Sequence, residues 1–354
     1  MPPKQKKTTV TPKNPNYNNL EAFHARLRRS RRILAVCGAG LSAASGLPTF
    51  RGAGGWWRNY EATKLATPEA WRADPGLVWG FYGYRRHMAL RVEPNAGHYV
   101  LAELARQNPD FLCVSQNVDN LHARANHPPS QLRLLHGNLF TLKCESRGCD
   151  YSEYNTESPL CPALAAVAVD PPSDPSVLHP VLDPSHPLPS PPRSDLPHCP
   201  TCTSKGKSSL LRPGVVWFGE SLDPSILSYV DDWIASPSTP PVDMVLVIGT
   251  SGIVYPAAGL AEMAKSSSNV KLKRLGWQTK GENGGGNNDD GEEEKEVVGC
   301  SVVHVNLDAE DPETLRGLGK EDFAFAGDAA EVLPRLLEPV VGRWVEERRE
   351  FVKG

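Results

Sequence analysis

The feature that most constrains the fold is a short apolar run that breaks abruptly into small residues. Residues 33–37, Ile-Leu-Ala-Val-Cys, have the composition of a buried parallel strand. Gly38, Gly40 and Ala43 follow at the spacing of a dinucleotide-binding turn. Small residues let the backbone approach a pyrophosphate, and the next helix offers N–H groups to it. The same pattern also fits a tight strand-to-helix turn that binds nothing.

The residues after this turn favour a reactive site over an ordinary cofactor site. Gly46 and Pro48 end the helix early. Thr49, Phe50 and Arg51 then face the same crevice. An arginine can bind phosphate bidentately, and a phenylalanine can shield a cationic sugar from water. The pattern therefore indicates chemistry on the dinucleotide itself.

Length and charge exclude several classes of protein. The chain has 354 residues, with 38 Lys and Arg against 41 Asp and Glu and a net charge of −3. This length suits one large domain, or a large and a small one. The near-neutral charge gives no case for direct binding to nucleic acid, and no apolar run is long enough for a bilayer. We therefore expect a soluble protein.

Polar residues follow further apolar runs, as they do at the ligand-binding edge of a parallel sheet. Residues 111–115 lead into Gln116, Asn117, Val118 and Asp119, and residues 132–135 lead into His136. Residues 244–248 end at Gly249, Thr250 and Ser251, and a late strand over 302–308 carries Asn306 and Leu307. Polar groups in these positions suit ribose, phosphate and proton transfer, although a lone histidine is more often structural. The alternation of strands and helices predicts a Rossmann-like doubly wound parallel α/β sheet.

Two cysteine pairs predict a metal site inserted into this fold. Cys144 and Cys149 precede a long insertion, and Cys199 and Cys202 follow it. Four thiolates at such spacing suit a closed structural zinc site, and 8 cysteines in a chain of this length suit a reducing compartment. Four reduced cysteines in a loop are the alternative, and Cys161 could replace one ligand.

A helix around residue 82 and a later extended segment border the predicted crevice. Tyr82 and Arg85 are three residues apart and share a helix face. On composition alone, a core tyrosine and an arginine with a buried stem are the favoured explanation of this pair. Residues 215–218 are predicted to form a strand, which either pairs with an incoming peptide or lies inside a sheet.

Three segments lack the composition of a packed core. Residues 1–18 are predicted to be a disordered tail, residues 170–200 a Pro-rich surface loop, and residues 281–296 a disordered acidic loop. The predicted catalytic domain spans 19–354, with a Rossmann-like part at 28–140 and 210–340 and a zinc module at 141–209. The tail could carry no targeting signal, or it could be a weak nuclear signal or a mitochondrial presequence, although it would form a poor amphipathic helix. A mitochondrial and a cytoplasmic or nuclear location therefore both stay open.

Together these stretches resemble the sirtuins, the NAD-dependent protein-lysine deacylases. The resemblance rests on the 38–51 segment, the 116–119 segment, His136-Gly137, the cysteine pairs, the 249–251 turn and Asn306, which occur in the family's order. Ala66, Tyr82, Arg85 and the 215–220 run resemble the class III branch, which removes succinyl, malonyl and glutaryl groups. Ala66 would keep the pocket wide, and the Arg85 guanidinium and Tyr82 phenol would bind a substrate carboxylate. An acetyl group has no carboxylate and would leave these two groups without that partner.

The resemblance also implies roles for individual residues. His136 would be the general base, aided by Asn117 and by Phe50 over the sugar, and the products would be nicotinamide and O-acyl-ADP-ribose. The implied NAD contacts are Gly38, Ala39, Gly40, Ser42, Ala43, Thr49, Phe50, Arg51, Gln116, Asn117, Val118, Asp119, Gly249, Thr250, Ser251, Asn306 and Leu307. The implied substrate contacts are Ala66, Tyr82, Arg85, Val215, Val216, Trp217, Phe218 and Gly219. The implied ligands of a structural Zn²⁺ are Cys144, Cys149, Cys199 and Cys202.

The expected partners are acyl-lysine proteins, such as histones or metabolic enzymes, and the expected state is a monomer. Three alternatives remain. The first is an NAD-dependent deacetylase of histones or other proteins, the second a mono-ADP-ribosyltransferase, and the third a catalytically silent NAD-binding scaffold.

Overall fold

A computed structural model describes residues 12–49, 55–174, 176–188, 190–274, 299–346 and 348–352. Phe50 and Arg51, which were predicted to contact NAD, lie outside the described residues, as does the predicted acidic loop 281–296. Within the described ranges, no helix is both long and apolar enough to cross a bilayer.

The strands form one large parallel sheet and smaller antiparallel sheets. The strands are β1 (Ile33–Cys37), β2 (Trp56–Trp57), β3 (Tyr60–Glu61), β4 (Phe111–Ser115), β5 (Leu132–Leu134), β6 (Gly137–Cys144), β7 (Ser152–Tyr154), β8 (Leu211–Val215), β9 (Met244–Ile248), β10 (Ser301–Asn306), β11 (Phe323–Ala326), β12 (Arg343–Val345) and β13 (Glu350–Val352). The large sheet has six strands in the order β11-β10-β9-β1-β4-β5, and a three-stranded sheet has the order β7-β6-β8.

Helices cover both faces of the parallel sheet, which makes it doubly wound as predicted. The helices are α1 (Leu20–Arg29), α2 (Gly40–Ala43), α3 (Ala62–Leu65), α4 (Pro68–Ala73), α5 (Pro75–Arg91), α6 (Ala96–Gln107), α7 (Leu121–Arg124), α8 (Pro200–Thr203), α9 (Pro224–Ala235), α10 (Leu260–Arg274), α11 (Pro312–Gly317) and α12 (Ala329–Val341). Leu101 and Leu336 belong to the apolar cluster on one face, and Val230 and Leu260 to the cluster on the other.

The strand order places a crevice next to β1. From β1 the chain runs to β4 and β5 on one side, and later to β9, β10 and β11 on the other. Gly38 and Gly249 follow β1 and β9, so the two turns meet at the point where the winding direction reverses. Ligands of doubly wound sheets bind at this position, because the loops diverge there.

Close contact between these two turns requires glycine. The Gly40 N–H donates to the Gly249 carbonyl at 2.8 Å, and a Cβ on Gly40 would lie 2.7 Å from the Gly249 Cα.

We expect Gly40→Ala to lower the free energy of unfolding by about 1–3 kcal/mol, because one backbone must move. Urea unfolding will measure this, with Gly148→Ala as the control, since a Cβ there meets nothing within 4 Å. Equal stabilities of the two variants would contradict the expectation.

Helix α5 joins the parallel sheet region to the cysteine module. The Asp74 side chain caps its N-terminus by accepting a backbone N–H. The Trp79 indole donates to the Leu211 carbonyl at 3.0 Å, and the Arg86 guanidinium donates to the Leu139 carbonyl at 2.6 Å. The helix that carries Tyr82 and Arg85 is therefore held by both β6 and β8.

The Pro-rich segment packs more closely than its composition predicted. Val181 and Leu196 are each 3% exposed and belong to the same apolar cluster as α5. The Tyr84 and His179 rings meet edge-on at 5.2 Å, and Ser190 donates to the Asp74 carboxylate. The few apolar residues between the prolines are thus enough to fasten the segment to α5.

Residues 12–18, which were predicted to be disordered, make defined contacts with the rest of the protein. Asn14 is buried and donates to the Asp322 carbonyl at 2.8 Å. The Tyr17 carbonyl accepts from the Ala324 N–H of β11 at 2.8 Å. These contacts differ from the prediction of disorder up to residue 18, because the outer strand β11 offers backbone groups that this polar segment can satisfy.

Candidate active site

A cavity of about 750 Å³ lies at the carboxyl ends of the parallel strands. Every described residue that was predicted to contact NAD or substrate lines it, and so does His136. Polar and apolar side chains converge there from both halves of the sheet. Its volume falls in the range of small-molecule and cofactor sites.

His136 is held in one tautomer at the junction between the sheet and the module. Its Nδ1 lies 2.9 Å from the Gln116 carbonyl, and its own carbonyl accepts the Val216 N–H. A carbonyl can only accept, so Nδ1 carries the hydrogen and Nε2 keeps its lone pair. Burial lowers the pKa of His136, and the bond to Gln116 partly opposes that shift. The imidazole is therefore suited to accept a proton at Nε2.

A buried hydrogen-bond network fixes three predicted NAD contacts. The Ser42 hydroxyl donates to the Asp119 carboxylate at 2.7 Å and accepts from the Asn117 amide at 3.1 Å. Asn117 also donates to the Gly38 carbonyl at 2.9 Å. The other Asp119 oxygen accepts the Leu121 N–H. This network ties the turn after β1 to the segment after β4, so the two walls keep a fixed geometry.

The opposite end of the cavity is more open and offers hydroxyl and amide groups. Gln116 donates to the Thr250 hydroxyl at 2.9 Å, and Asn306 donates to the Thr250 carbonyl at 3.3 Å. Leu307 is 76% exposed and lies at the rim. Such groups are suited to a ribose and a base.

Two buried donors face the cavity from the α5 side. The Tyr82 hydroxyl and the Trp217 indole N–H are buried and have no hydrogen-bond partner among the described residues. Burial raises the pKa of Tyr82, so the phenol stays a neutral donor. Burial also lowers the pKa of Arg85, and the negative charge of Asp119 opposes that shift. An anionic group in this part of the cavity would meet a cation and two donors.

The segment after β8 turns back toward α3 and does not continue as a strand. The predicted strand over 215–218 is wrong, because β8 ends at Val215 and the Phe218 N–H donates to the Ala66 carbonyl at 2.9 Å. Glu220 holds the turn, since its carboxylate accepts the Trp217 N–H and pairs with both Arg212 Nη atoms. Trp217 and Phe218 thereby enter the cavity wall.

The four predicted zinc ligands lie together in the small module. Cys144 and Cys202 have their sulfurs 3.6 Å apart, Cys149 and Cys199 have theirs 3.8 Å apart, and all four lie within 4.8 Å of one another. Zn–S bonds of about 2.3 Å in a tetrahedron separate sulfurs by about 3.8 Å, so the cluster fits Zn²⁺. Cys161 does not join it and donates to the Asp195 carbonyl instead.

The comparisons with known proteins agree with this geometry. The profile of the Sir2 family matches residues 38–256. A Candida albicans protein named NAD-dependent protein deacylase is 39% identical over 339 residues, which cover 91% of this chain and 98% of that protein. The chain belongs to the Sir2 family. This confirms the predicted family and, with the doubly wound sheet and its inserted module, the predicted fold.

Two further relatives agree with this assignment. A dog protein named NAD-dependent protein deacylase sirtuin-5, mitochondrial, is 41% identical over 248 residues, which cover 69% of this chain and 72% of that protein. A crystal structure of a Sir2 homolog–NAD complex has a TM-score of 0.59 and 29% identity to this Sir2-family chain, and the match covers 90% of this chain and 91% of that one.

Some residues that line the cavity of this Sir2-family protein were not predicted from the sequence. Tyr84, Met88 and Leu139 add apolar surface near α5, and Asp328 lies at the far end. Asp328 caps α12 by accepting the Ala330 N–H at 2.8 Å. An acidic residue followed by a helical pattern was a detectable signal for the cap, but the pattern gave no sign that the cap borders the cavity.

Replacing one ligand should empty the four-cysteine cluster. We expect Cys199→Ser to reduce the zinc that survives dialysis against a metal-free buffer from about one equivalent to nearly none, because three thiolates and a hydroxyl bind Zn²⁺ much more weakly. Elemental analysis of the purified protein will measure it. Cys161→Ser is the matched control and should keep its zinc; loss of zinc from both variants would contradict this ligand set.

Proposed function

We propose that this protein is an NAD-dependent protein-lysine deacylase that preferentially removes acyl groups ending in a carboxylate: succinyl, malonyl and glutaryl. NAD-dependent deacylation follows from membership of the Sir2 family, whose relatives here are named NAD-dependent protein deacylases. The preference for acyl groups that end in a carboxylate is supported by the residues of α5 that line the cavity.

The observation that carries the acyl preference is the Tyr82 hydroxyl. It is buried, it borders the cavity, and it has no hydrogen-bond partner among the described residues. A buried donor of this kind is costly unless a ligand satisfies it. Arg85 follows one helical turn later on the same wall, and a guanidinium with a phenol forms a strong site for a carboxylate. Ala66, which also borders the cavity, leaves space for the longer acyl chain.

The lining of the cavity also fits NAD. The turn at 38–43 has small residues at the winding reversal, and Thr250, Ser251 and Asn306 offer polar groups at the open end. NAD, when bound, supplies a ribose carbon that loses nicotinamide and a ribose hydroxyl that receives the acyl group. In this proposal His136 Nε2 takes a proton from such a hydroxyl, which is supported by the bond of Nδ1 to the Gln116 carbonyl because that bond leaves Nε2 able to accept. Asn117 and Asp119 hold the cavity wall through their bonds to Ser42.

A panel of acyl peptides tests the proposal. One lysine peptide carrying acetyl, malonyl, succinyl or glutaryl groups will be incubated with the protein and NAD, and released nicotinamide and free lysine will be measured by mass spectrometry. We expect kcat/KM for the acidic acyl groups to exceed that for acetyl by about tenfold or more, the worth of one satisfied charged hydrogen bond. Faster deacetylation than desuccinylation would refute the preference, and ADP-ribosylated peptide without free lysine would refute deacylation.

The cell compartment is a separate part of the proposal. The dog and Xenopus relatives named sirtuin-5 or sirtuin-5A are named as mitochondrial proteins, which supports a mitochondrial location and acyl-lysine proteins of that compartment as substrates. Fractionation of cells that express a tagged full chain will test this. Recovery only in cytosolic or nuclear fractions would refute it.

A further inference from the structure

We propose that Cys37, Cys113 and His122 form a second binding site for a thiophilic divalent ion, separate from the four-cysteine cluster. The two sulfurs and a ring nitrogen of His122 lie within 4.8 Å of one another. The residues come from β1, β4 and α7, so the site lies inside the Rossmann-like part of the protein and not in the zinc module.

The imidazole of His122 is the observation that points to a ligand. His122 is 2% exposed, and neither ring nitrogen has a hydrogen-bond partner among the described residues. Buried imidazoles normally bond at one nitrogen at least. Here the ring has two cysteine sulfurs nearby, and an ion between them would use its free nitrogen.

The geometry suits an ion better than a disulfide. Cys113 pairs with Ala35 and Cys37 pairs with Ser115, so the two cysteines are two residues out of register on neighbouring strands. Strand spacing and rise then separate their Cα atoms by about 8 Å. A disulfide needs a shorter separation. The sulfurs are 3.8 Å apart, which is close to the separation of two thiolates on one Zn²⁺.

The charge balance also favours a divalent ion in this buried place. Binding releases one proton from each thiol, and two thiolates then neutralise the two positive charges of Zn²⁺. The neutral complex can occupy a buried site without an uncompensated charge. Thiolate and imidazole ligands favour zinc and cadmium over magnesium or calcium. With three protein ligands, the site will bind more weakly than the four-cysteine cluster.

The proposed site is linked to the cavity. Cys37 immediately precedes Gly38, which lines the cavity wall. The ring of His122 meets His98 edge-on at 5.2 Å, and His98 Nε2 lies 3.5 Å from the Ser42 hydroxyl. Ser42 in turn donates to Asp119. An ion bound to the two sulfurs and His122 would move the His122 ring and thereby the His98 ring, which contacts Ser42. We therefore expect ion binding to weaken NAD binding.

Equilibrium dialysis of the full chain against Zn²⁺, followed by elemental analysis, counts the ions. We expect two equivalents in the unaltered protein and one in Cys113→Val, which keeps a strand-forming residue in β4. Cys300→Ser is the control and should keep two, because Cys300 is buried but belongs to neither cluster. One equivalent in the unaltered protein, or two in Cys113→Val, would overturn the site.

Cadmium provides a measurement that needs no variant. The thiolate-to-cadmium absorption should rise in two steps, and the second step, from two thiolates, should be about half of the first, from four. A single step would overturn the proposal.

For the link to the cavity, the dissociation constant of NAD should rise about threefold or more with the second equivalent in the unaltered protein, and stay constant in Cys113→Val. An unchanged constant in the unaltered protein would overturn the link.

Discussion

Replacement of His136 by asparagine is expected to lower NAD-dependent deacylation by about 10²- to 10⁴-fold, the usual contribution of a positioned general base. An asparagine keeps a donor that can reach the Gln116 carbonyl, but it has no basic nitrogen where Nε2 stands. NAD binding should change little, because the network of Ser42, Asn117 and Asp119 does not include His136. The measurement is kcat/KM with a succinyl peptide, together with the dissociation constant of NAD.

A matched control separates loss of the base from damage to the fold. His304 lies in β10, is also only partly exposed and does not line the cavity, so His304→Asn should retain nearly full activity. If His136→Asn keeps more than about a tenth of the activity, His136 is not the base.

The pH dependence of the unaltered enzyme provides a second check on His136. A general base acts only when it is neutral, so activity falls as the pH drops through its pKa. Burial lowers the pKa of His136, more than the bond to Gln116 raises it. The acid limb of kcat/KM should therefore lie below the ordinary histidine value of about 6.5. A limb above that value that disappears in His136→Asn would contradict the environment described for this ring.

The tips of the parallel strands were predictable because two local signals coincide there. Each strand is a short apolar run, and each run ends in small or polar residues, as at Gly38, Asn117 and Thr250. Parallel strands of one sheet have their carboxyl ends on one edge, so these residues had to converge once the sheet was correct. The bonds between them, such as Ser42 to Asp119, join distant parts of the chain and leave no local pattern.

Contacts that depend on tertiary packing were not predictable from composition. Val181 and Leu196 are two apolar residues in a segment dominated by proline and serine, yet both are buried against α5. Pro213 and Gly214 are poor strand formers, yet β8 includes them because it is the edge strand of its sheet, where a missing N–H is tolerated. Cys113 fitted the apolar pattern of β4, and that pattern gave no indication that its side chain lies close to His122.

Replacement of Arg85 by methionine is expected to lower kcat/KM for a succinyl peptide by about 30-fold or more while leaving acetyl turnover within a few-fold. Removing one partner of a buried, hydrogen-bonded charge pair costs about 2–5 kcal/mol, and each 1.4 kcal/mol is a factor of ten. Methionine keeps a long unbranched chain in the wall, so the space for an acetyl group is retained.

The helix itself offers the matched control for this substitution. Arg91 ends the same helix α5, its side chain is 53% exposed, and it pairs with Asp170 away from the cavity, so Arg91→Met should leave both activities unchanged. Tyr82→Phe removes only the buried hydroxyl and should lower succinyl turnover by about tenfold or more, again without a matching loss for acetyl. Equal losses for the two acyl groups in Arg85→Met would mean that the guanidinium supports the wall and does not bind the carboxylate. Retained acetyl turnover with a selective loss for succinyl requires an intact catalytic centre, and it therefore assigns the effect to recognition of the acyl group.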